Sequence, residues 1–330
     1  MSDVARVARV SLMTVSRVLR EPDKVLDVTR ERVDAAIRQT GYVHNALAGG
    51  LRSQGRTKVV AAVVPSVRNS LFAGTLQGLA DALRADGLRL ALGDSDYSKA
   101  EETALIRAFL SLRPSGLVVH DAIRSTALRS VLARAAIPVV EVGDLSRRPF
   151  DLAVSYSNRL AAATMTRHLL ERGYRRIGFV SLSPRLTRRA LERLTGFETA
   201  LREAGLEPDP ELIAEAQPGF AEGGRTLVEL VARRARPADA VFFAGDVHGI
   251  GAILEARRQG WDVPGKVAIA AFDDVEIAPE ITPALTCLRI PRYEIGFEAG
   301  RRIIARLHGD PDESTRAVDL GFRLIVRAST

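Results

Sequence analysis

Apolar positions in residues 1–40 recur at helical spacing, whereas beyond residue 58 they gather into short continuous runs. Val4, Val7 and Ala8 fall at i, i+3 and i+4, the one-sided stripe of a short helix. Ser11, with Thr14 three residues on, is a good N-cap for a second helix opening at Leu12. There Val15, Val18 and Leu19 face back toward the first helix, while Met13, Ser16, Arg17 and Arg20 share the opposite face. A third helix is expected near 28–40, with Val33, Ala36 and Ile37 as its buried stripe and Gly41-Tyr42 as its end. The spacing predicts a helix-turn-helix whose polar face suits a major groove.

The run Val59-Val60-Ala61-Ala62-Val63-Val64, ended by Pro65, reads as a strand buried on both faces. Further strands are expected at Leu88–Leu92, Gly116–His120, Pro138–Val142 and Leu152–Val154, with helices near 70–86, 100–112 and 125–135. A second series follows: helix 158–172, strand Arg176–Ser181, helix 190–204, strand Leu212–Ala216, helix 222–234, strand Ala240–Ala244, helix 247–259 and strand Val267–Ala271. Strands alternating with helices imply parallel, doubly wound sheets, and two successive series imply two lobes. The tail from Thr286 adds a helix at 292–308 and the apolar stretch Val318–Val326.

Composition narrows the class. The 330 residues, 46% hydrophobic and 26% charged, are those of a globular protein with room for a small head and a large body. Residues 1–56 hold ten Lys/Arg against six Asp/Glu, more than half of the net +7, a surplus that suits phosphate neutralisation. The single cysteine, Cys287, excludes an internal disulfide and suits a buried thiol in a reducing compartment. No apolar leader and no run of about 20 apolar residues is present, so a cytoplasmic chain without a membrane partner is expected.

Three blocks carry a resemblance: Thr14-Val15-Ser16-Arg17-Val18-Leu19, Thr29-Arg30-Glu31-Arg32-Val33, and Gly41-Tyr42-Val43-His44-Asn45-Ala46-Leu47-Ala48. In sequence and mutual spacing they resemble the DNA-binding head of the LacI family of bacterial repressors. That resemblance implies a head over residues 1–44, a hinge helix and linker over 45–57, and a body over 58–330 that binds effector and dimerises. The implied fold is an all-α helix-turn-helix head plus an α/β body of two doubly wound parallel-sheet lobes, of the type I periplasmic-binding-protein kind. The first lobe is expected at about 58–157 plus the returning tail, and the second at about 158–285. Leu12, Met13 and Arg17 take base-reading positions, and Arg17 can pair bidentately with a guanine edge. Thr14, Ser16, Arg20, Thr29 and Asn45 take phosphate-contact positions. Ala48 and Leu51 belong to the hinge helix, Leu51 being its minor-groove wedge. The chain departs from the family at Arg9, where the inter-helix turn usually has glycine, at Leu26, where serine commonly caps the third helix, and at His44, where proline is common. Gly49-Gly50 weaken the hinge helix by roughly 1 kcal/mol each.

Doubly wound lobes bind ligands at the carboxyl ends of their strands. Phe72, after the first strand, is placed to stack on a sugar face or, equally, to sit in the core. By resemblance Arg193 in Arg193-Leu194-Thr195-Gly196-Phe197 is the ligand-gripping arginine, and a planar guanidinium suits vicinal hydroxyls or a carboxylate. Asp246 and Asp273 match acidic ligand-binding positions, with Gly245 where asparagine is frequent. The segment from Ile137 through Pro138, Glu141, Asp144, Asp151 and Asn158, with Asp319-Leu320-Gly321-Phe322, is similar to the gluconate-repressor subgroup. The expected function is a dimeric or higher-order repressor of a pseudo-palindromic DNA operator, controlled by a sugar or sugar acid such as gluconate or a ketogluconate. A solute receptor without operator specificity, and a regulator of a neutral or phosphorylated sugar, remain as alternatives. Catalysis is not expected: Asp273-Asp274 point opposite ways at a strand end, the histidines are scattered, and Gly245…Gly249-Ile250-Gly251 lacks dinucleotide-fingerprint spacing. No cofactor and no metal are implied.

Overall fold

The computed structural model describes residues 1–42, 56–121, 123–145, 148–310 and 315–330. These divide into two units, Met1–Thr57 and Lys58–Thr330.

In the first unit, helices α1 (Ser2–Ala8), α2 (Leu12–Arg20) and α3 (Asp27–Thr40) enclose a core of Val4, Ala5, Ala8, Val15, Val18, Val33 and Ala36. The α1 stripe is rotated from the expected one: Ala5 is buried and Val7 is 38% exposed. Ser11 caps α2, its hydroxyl accepting from the Thr14 N–H at 3.1 Å. Arg9 lies in the left-handed region, φ 53° and ψ 48°, so the turn does demand the conformation that glycine adopts most cheaply. Arg32 of α3 compensates there, donating to the carbonyls of Ala8 at 2.6 Å and Arg9 at 3.4 Å. Leu26 gives α3 no side-chain cap, and Asp27 instead supplies negative charge to the first turn. Gly41, at φ 62°, ends α3.

The second unit holds two six-stranded sheets. The first runs β11-β5-β4-β3-β1-β2, comprising β1 (Val59–Val64), β2 (Arg89–Asp94), β3 (Gly116–Val119), β4 (Val139–Glu141), β5 (Leu152–Ser155) and β11 (Ala317–Asp319). All its ladders are parallel. Its connecting helices are α4 (Ala73–Ala85), α5 (Lys99–Ser111) and α6 (Thr126–Ala135). The second sheet runs β12-β10-β9-β8-β6-β7, from β6 (Ile177–Ser181), β7 (Ile213–Glu215), β8 (Ala240–Phe243), β9 (Ala268–Phe272), β10 (Thr286–Arg289) and β12 (Arg323–Ile325). Helices α7 (Asn158–Glu171), α8 (Arg188–Glu203), α9 (Phe220–Ala232) and α10 (Asp246–Arg258) connect it. The interior strands of both sheets are buried almost throughout, as crossovers on both faces require, whereas the edge strands β2, β7, β11 and β12 are largely half-buried or exposed.

The tail divides between the lobes instead of returning wholly to the first. β10 pairs with β9, and β12 pairs antiparallel with β10, so both extend the second sheet. Only α11 (Arg292–His308), packed on α4, and β11, paired with β5, complete the first lobe. The apolar stretch 318–326 is therefore two edge strands, broken at Gly321 with φ 66°. Lobe-to-lobe crossings fall near residues 156, 290 and 321. Among the described residues no helix is long and apolar enough to cross a membrane, and Cys287 is fully buried.

A candidate nucleic-acid interface and a candidate effector cleft

On α2 the residues assigned to base reading share an exposed surface. Leu12 is 51% and Met13 72% exposed, unusual for apolar side chains, and Arg17 is exposed beside them without an ion pair among the described residues. Ser16 and Thr29 are partly buried, and the Thr14 hydroxyl lies 2.9 Å from that of Ser11. Val15 and Val18 anchor the opposite face in the core. Asn45, Ala48, Leu51, His44, Gly49-Gly50 and the side chain of Arg20 lie outside the described residues.

In the body, a small cavity of about 40 Å³ opens between the carboxyl ends of the two sheets. Asn69, Leu71 and Tyr97 line it from the first lobe; Arg189, Arg193, Asp246 and His248 line it from the second. Arg193 and Asp246 thus line one cavity. Phe72 is not in the lining: it is 1% exposed, edge-on to His120 at 4.4 Å, with the Arg189 guanidinium 5.5 Å from its ring. It is a core aromatic in this structure, clustered with Val64 and Leu71.

Arg193 is heavily engaged. It donates to Asn158 Oδ1 (2.8 Å), Tyr156 Oη (3.0 Å) and the Ala244 carbonyl (2.5 Å), and lies 3.6 Å from the Phe272 ring centroid. Tyr156 Oη in turn donates to Asn158 Oδ1 at 3.0 Å and accepts from Arg292 at 3.2 Å. Arg292 reaches Asp273 Oδ1 at 2.8 Å through Nε and 2.7 Å through Nη2. Asp273 is therefore bound to a neighbouring arginine and does not line the cavity, and its Oδ2 is buried without a hydrogen-bond partner among the described residues. Burial pulls the Arg292 pKa down, but Asp273 and Tyr156 outweigh it and hold the pKa above the usual value. Asp274 faces away, paired with Arg289 and Arg327, so the two adjacent carboxylates serve separate partners.

Sequence reading passed over Arg189, Tyr156, His248 and Arg292. Arg189 is 4% exposed, its Nε has no hydrogen-bond partner, and it makes no ion pair among the described residues. Burial, the largest influence, lowers its pKa. A sequence signal existed: Arg189, Arg193 and Phe197 recur every fourth residue on α8, and all three are buried. Nearby, burial and then the positive charges of Arg189, Arg292 and Arg193 hold His120 well below its ordinary pKa, so three guanidinium groups surround this part of the cleft.

Comparison with known proteins bears on the family and the fold. Residues 1–45 match the family described as bacterial regulatory proteins, lacI family, and residues 166–330 match a periplasmic binding protein-like domain. The chain is 36% identical over 331 residues to the HTH-type transcriptional regulator GntR of Pseudomonas aeruginosa, covering 100% of this chain and 95% of that protein. It is 31% identical to the HTH-type transcriptional repressor CytR of Escherichia coli, covering 100% and 96% respectively. A crystal structure of a LacI-family regulator from Silicibacter pomeroyi superposes with a TM-score of 0.92 at 33% identity, covering 99% of this chain and 98% of that one. With an exposed α2 face, two doubly wound lobes and relatives matched over nearly their whole length that are transcriptional regulators, this chain belongs to the lacI family of bacterial regulatory proteins and is a DNA-binding transcriptional regulator.

Proposed function

We propose that this chain is a repressor whose operator affinity is controlled by a sugar acid, bound in the cleft with its carboxylate on Arg189. The observation that carries the reading is the buried Arg189 guanidinium in the cavity wall, which makes no ion pair and whose Nε has no hydrogen-bond partner among the described residues. A buried charge without a partner is costly, and a carboxylate with two acceptor oxygens offsets that cost where a neutral sugar does not. Arg193 stands one helical turn away and is held rigid by Asn158 and Tyr156, so it orients the site. Asn69, Tyr97 and Asp246 supply the polar groups that a polyhydroxylated chain needs. The similarity of segment 137–158 to the gluconate-repressor pattern points the same way.

The cavity is smaller than the roughly 300 Å³ of ordinary small-ligand sites, so effector binding is accompanied by a change in the lobe arrangement. The ligand then shifts the lobe equilibrium only as far as its affinities for the two states differ. A homodimer places two heads on the half-sites of a pseudo-palindrome, and the linker 45–57 carries the change in the lobes to them.

Calorimetry of the full chain against gluconate, 2-ketogluconate, glucose and glucose 6-phosphate tests the effector. The sugar acids are expected to bind and glucose to bind at least tenfold more weakly; equal binding of glucose would sink the carboxylate reading. Arg189→Met is expected to weaken sugar-acid binding by about 10–100-fold, the loss of a charge-assisted hydrogen-bond pair, with ligand-free operator binding unchanged in gel shifts.

A further inference from the structure

We propose that Gly245 and His248 form a hydroxyl-reading subsite of the cleft, in which His248 Nδ1 accepts the hydrogen of one effector hydroxyl; the inference rests on the effector cleft proposed above.

His248 is 3% exposed, lines the cavity, and lies in the first turn of α10. Its Nε2 is 2.7 Å from the carbonyl oxygen of Gln217. A carbonyl only accepts, so Nε2 carries the hydrogen and, in the neutral ring, Nδ1 is left as an acceptor. That Nδ1 is buried and has no hydrogen-bond partner among the described residues. An unsatisfied buried acceptor is destabilising, and its presence calls for a partner such as a bound ligand. Burial holds the imidazole pKa below its ordinary value, which preserves the acceptor.

Gly245 is the complementary half. Its φ of −164° is extended backbone open to any residue, so conformation does not call for glycine. Space does: a Cβ at Gly245 would lie 3.1 Å from His248 Nδ1 and 3.8 Å from its Cε1, the nearest atoms apart from its chain neighbours. Gly245 therefore leaves open the approach to the imidazole, and both residues line the same cavity. The ring cannot retreat from its post. At Gly223 of α9 a Cβ would come within 2.1 Å of the His248 carbonyl oxygen, so α9 and α10 are locked at close approach, and the Gln217 carbonyl holds the far nitrogen. The open position at Gly245 thus faces an acceptor-only nitrogen three residues on. The subsite selects a hydroxyl, a donor, and rejects a position bearing a keto oxygen or lacking oxygen.

The experiment titrates the full-length wild type and the variants His248→Phe, His248→Asn and Gly245→Ala by calorimetry with gluconate and its monodeoxy analogues, and in parallel with glucose and its monodeoxy analogues. Thermal melts confirm that each variant folds. One deoxy analogue is expected to lose about tenfold or more on the wild type and to bind His248→Phe as well as the parent ligand does. His248→Asn, whose amide oxygen reaches the Nδ1 position, is expected to regain part of the discrimination, and Gly245→Ala to lower parent affinity. Unchanged analogue ranking in His248→Phe overturns the subsite. Should only the neutral series bind, the carboxylate reading falls while the same ranking still decides on His248. If neither series binds the wild type, both readings are overturned.

Discussion

At the scale of single residues, chemistry visible in the sequence and chemistry decided by neighbours separate cleanly. Arg17 needs only its helical phase to be exposed beside Leu12 and Met13, because Val15 and Val18 fix which face of α2 is buried. Arg17→Ala is expected to cost about 1–3 kcal/mol of discrimination between operator and a site with one substituted guanine, while affinity for random duplex falls little. An unchanged preference in a gel-shift series would contradict the groove assignment. Arg193 illustrates the opposite case. Its position was legible from the surrounding motif, but its commitment to Asn158, Tyr156 and Ala244 was not, since these partners lie 35 to 51 residues away in sequence. Removing Arg193 therefore disturbs the scaffold, and Arg189 is the cleaner probe of the proposed cleft. Phe72 could be assigned either to the core or to the cleft by periodicity alone; its contact with His120 places it in the core.

At the scale of elements, the strands and helices of the body follow from local pattern because continuous apolar runs and one-sided stripes have few alternative uses. The head shows where local rules are broken and repaired. Arg9 occupies a left-handed turn at a cost of about 1–2 kcal/mol, and Arg32, on a different helix, covers the carbonyls that end α1. Arg32→Met is expected to destabilise the head by about 1–3 kcal/mol, because a part-buried charge-assisted bond is lost. Hydrogen exchange of the amides in residues 2–20 should accelerate accordingly, with the strands of the body unaffected; equal protection in the variant would refute the capping role. The stretch 318–326 was legible as strand material but not as two strands. Its division at Gly321 serves sheets in different lobes, a choice no local period encodes.

At the scale of the whole molecule, buried histidines give the body a defined response to pH. His120, His168 and His248 all have pKa values held below the ordinary 6.5, burial being the main cause in each. The unfolded chain therefore binds these protons more readily, so the stability they confer is complete above the unfolded pKa and is lost as pH falls below it. Buried Glu141 and half-buried Glu102 and Asp144, their pKa values raised by desolvation, act in the opposite sense nearer the carboxyl range. The melting temperature of the body is expected to drop between about pH 7.5 and 5.5, and His120→Asn should make the decline shallower. A pH-independent melt over that range would show that these imidazoles are not held neutral by the fold. By itself the sequence determined the three-helix head, the alternation of strands and helices and the family, because those depend on residue type and spacing over a few turns. Only the tertiary structure decided that the tail is shared between lobes, that Asp273 is bound by Arg292, and that Arg189 and His248 are left with unmet hydrogen bonds in the cleft. Burial and hydrogen-bond satisfaction depend on which distant segments meet, and no local pattern carries that information.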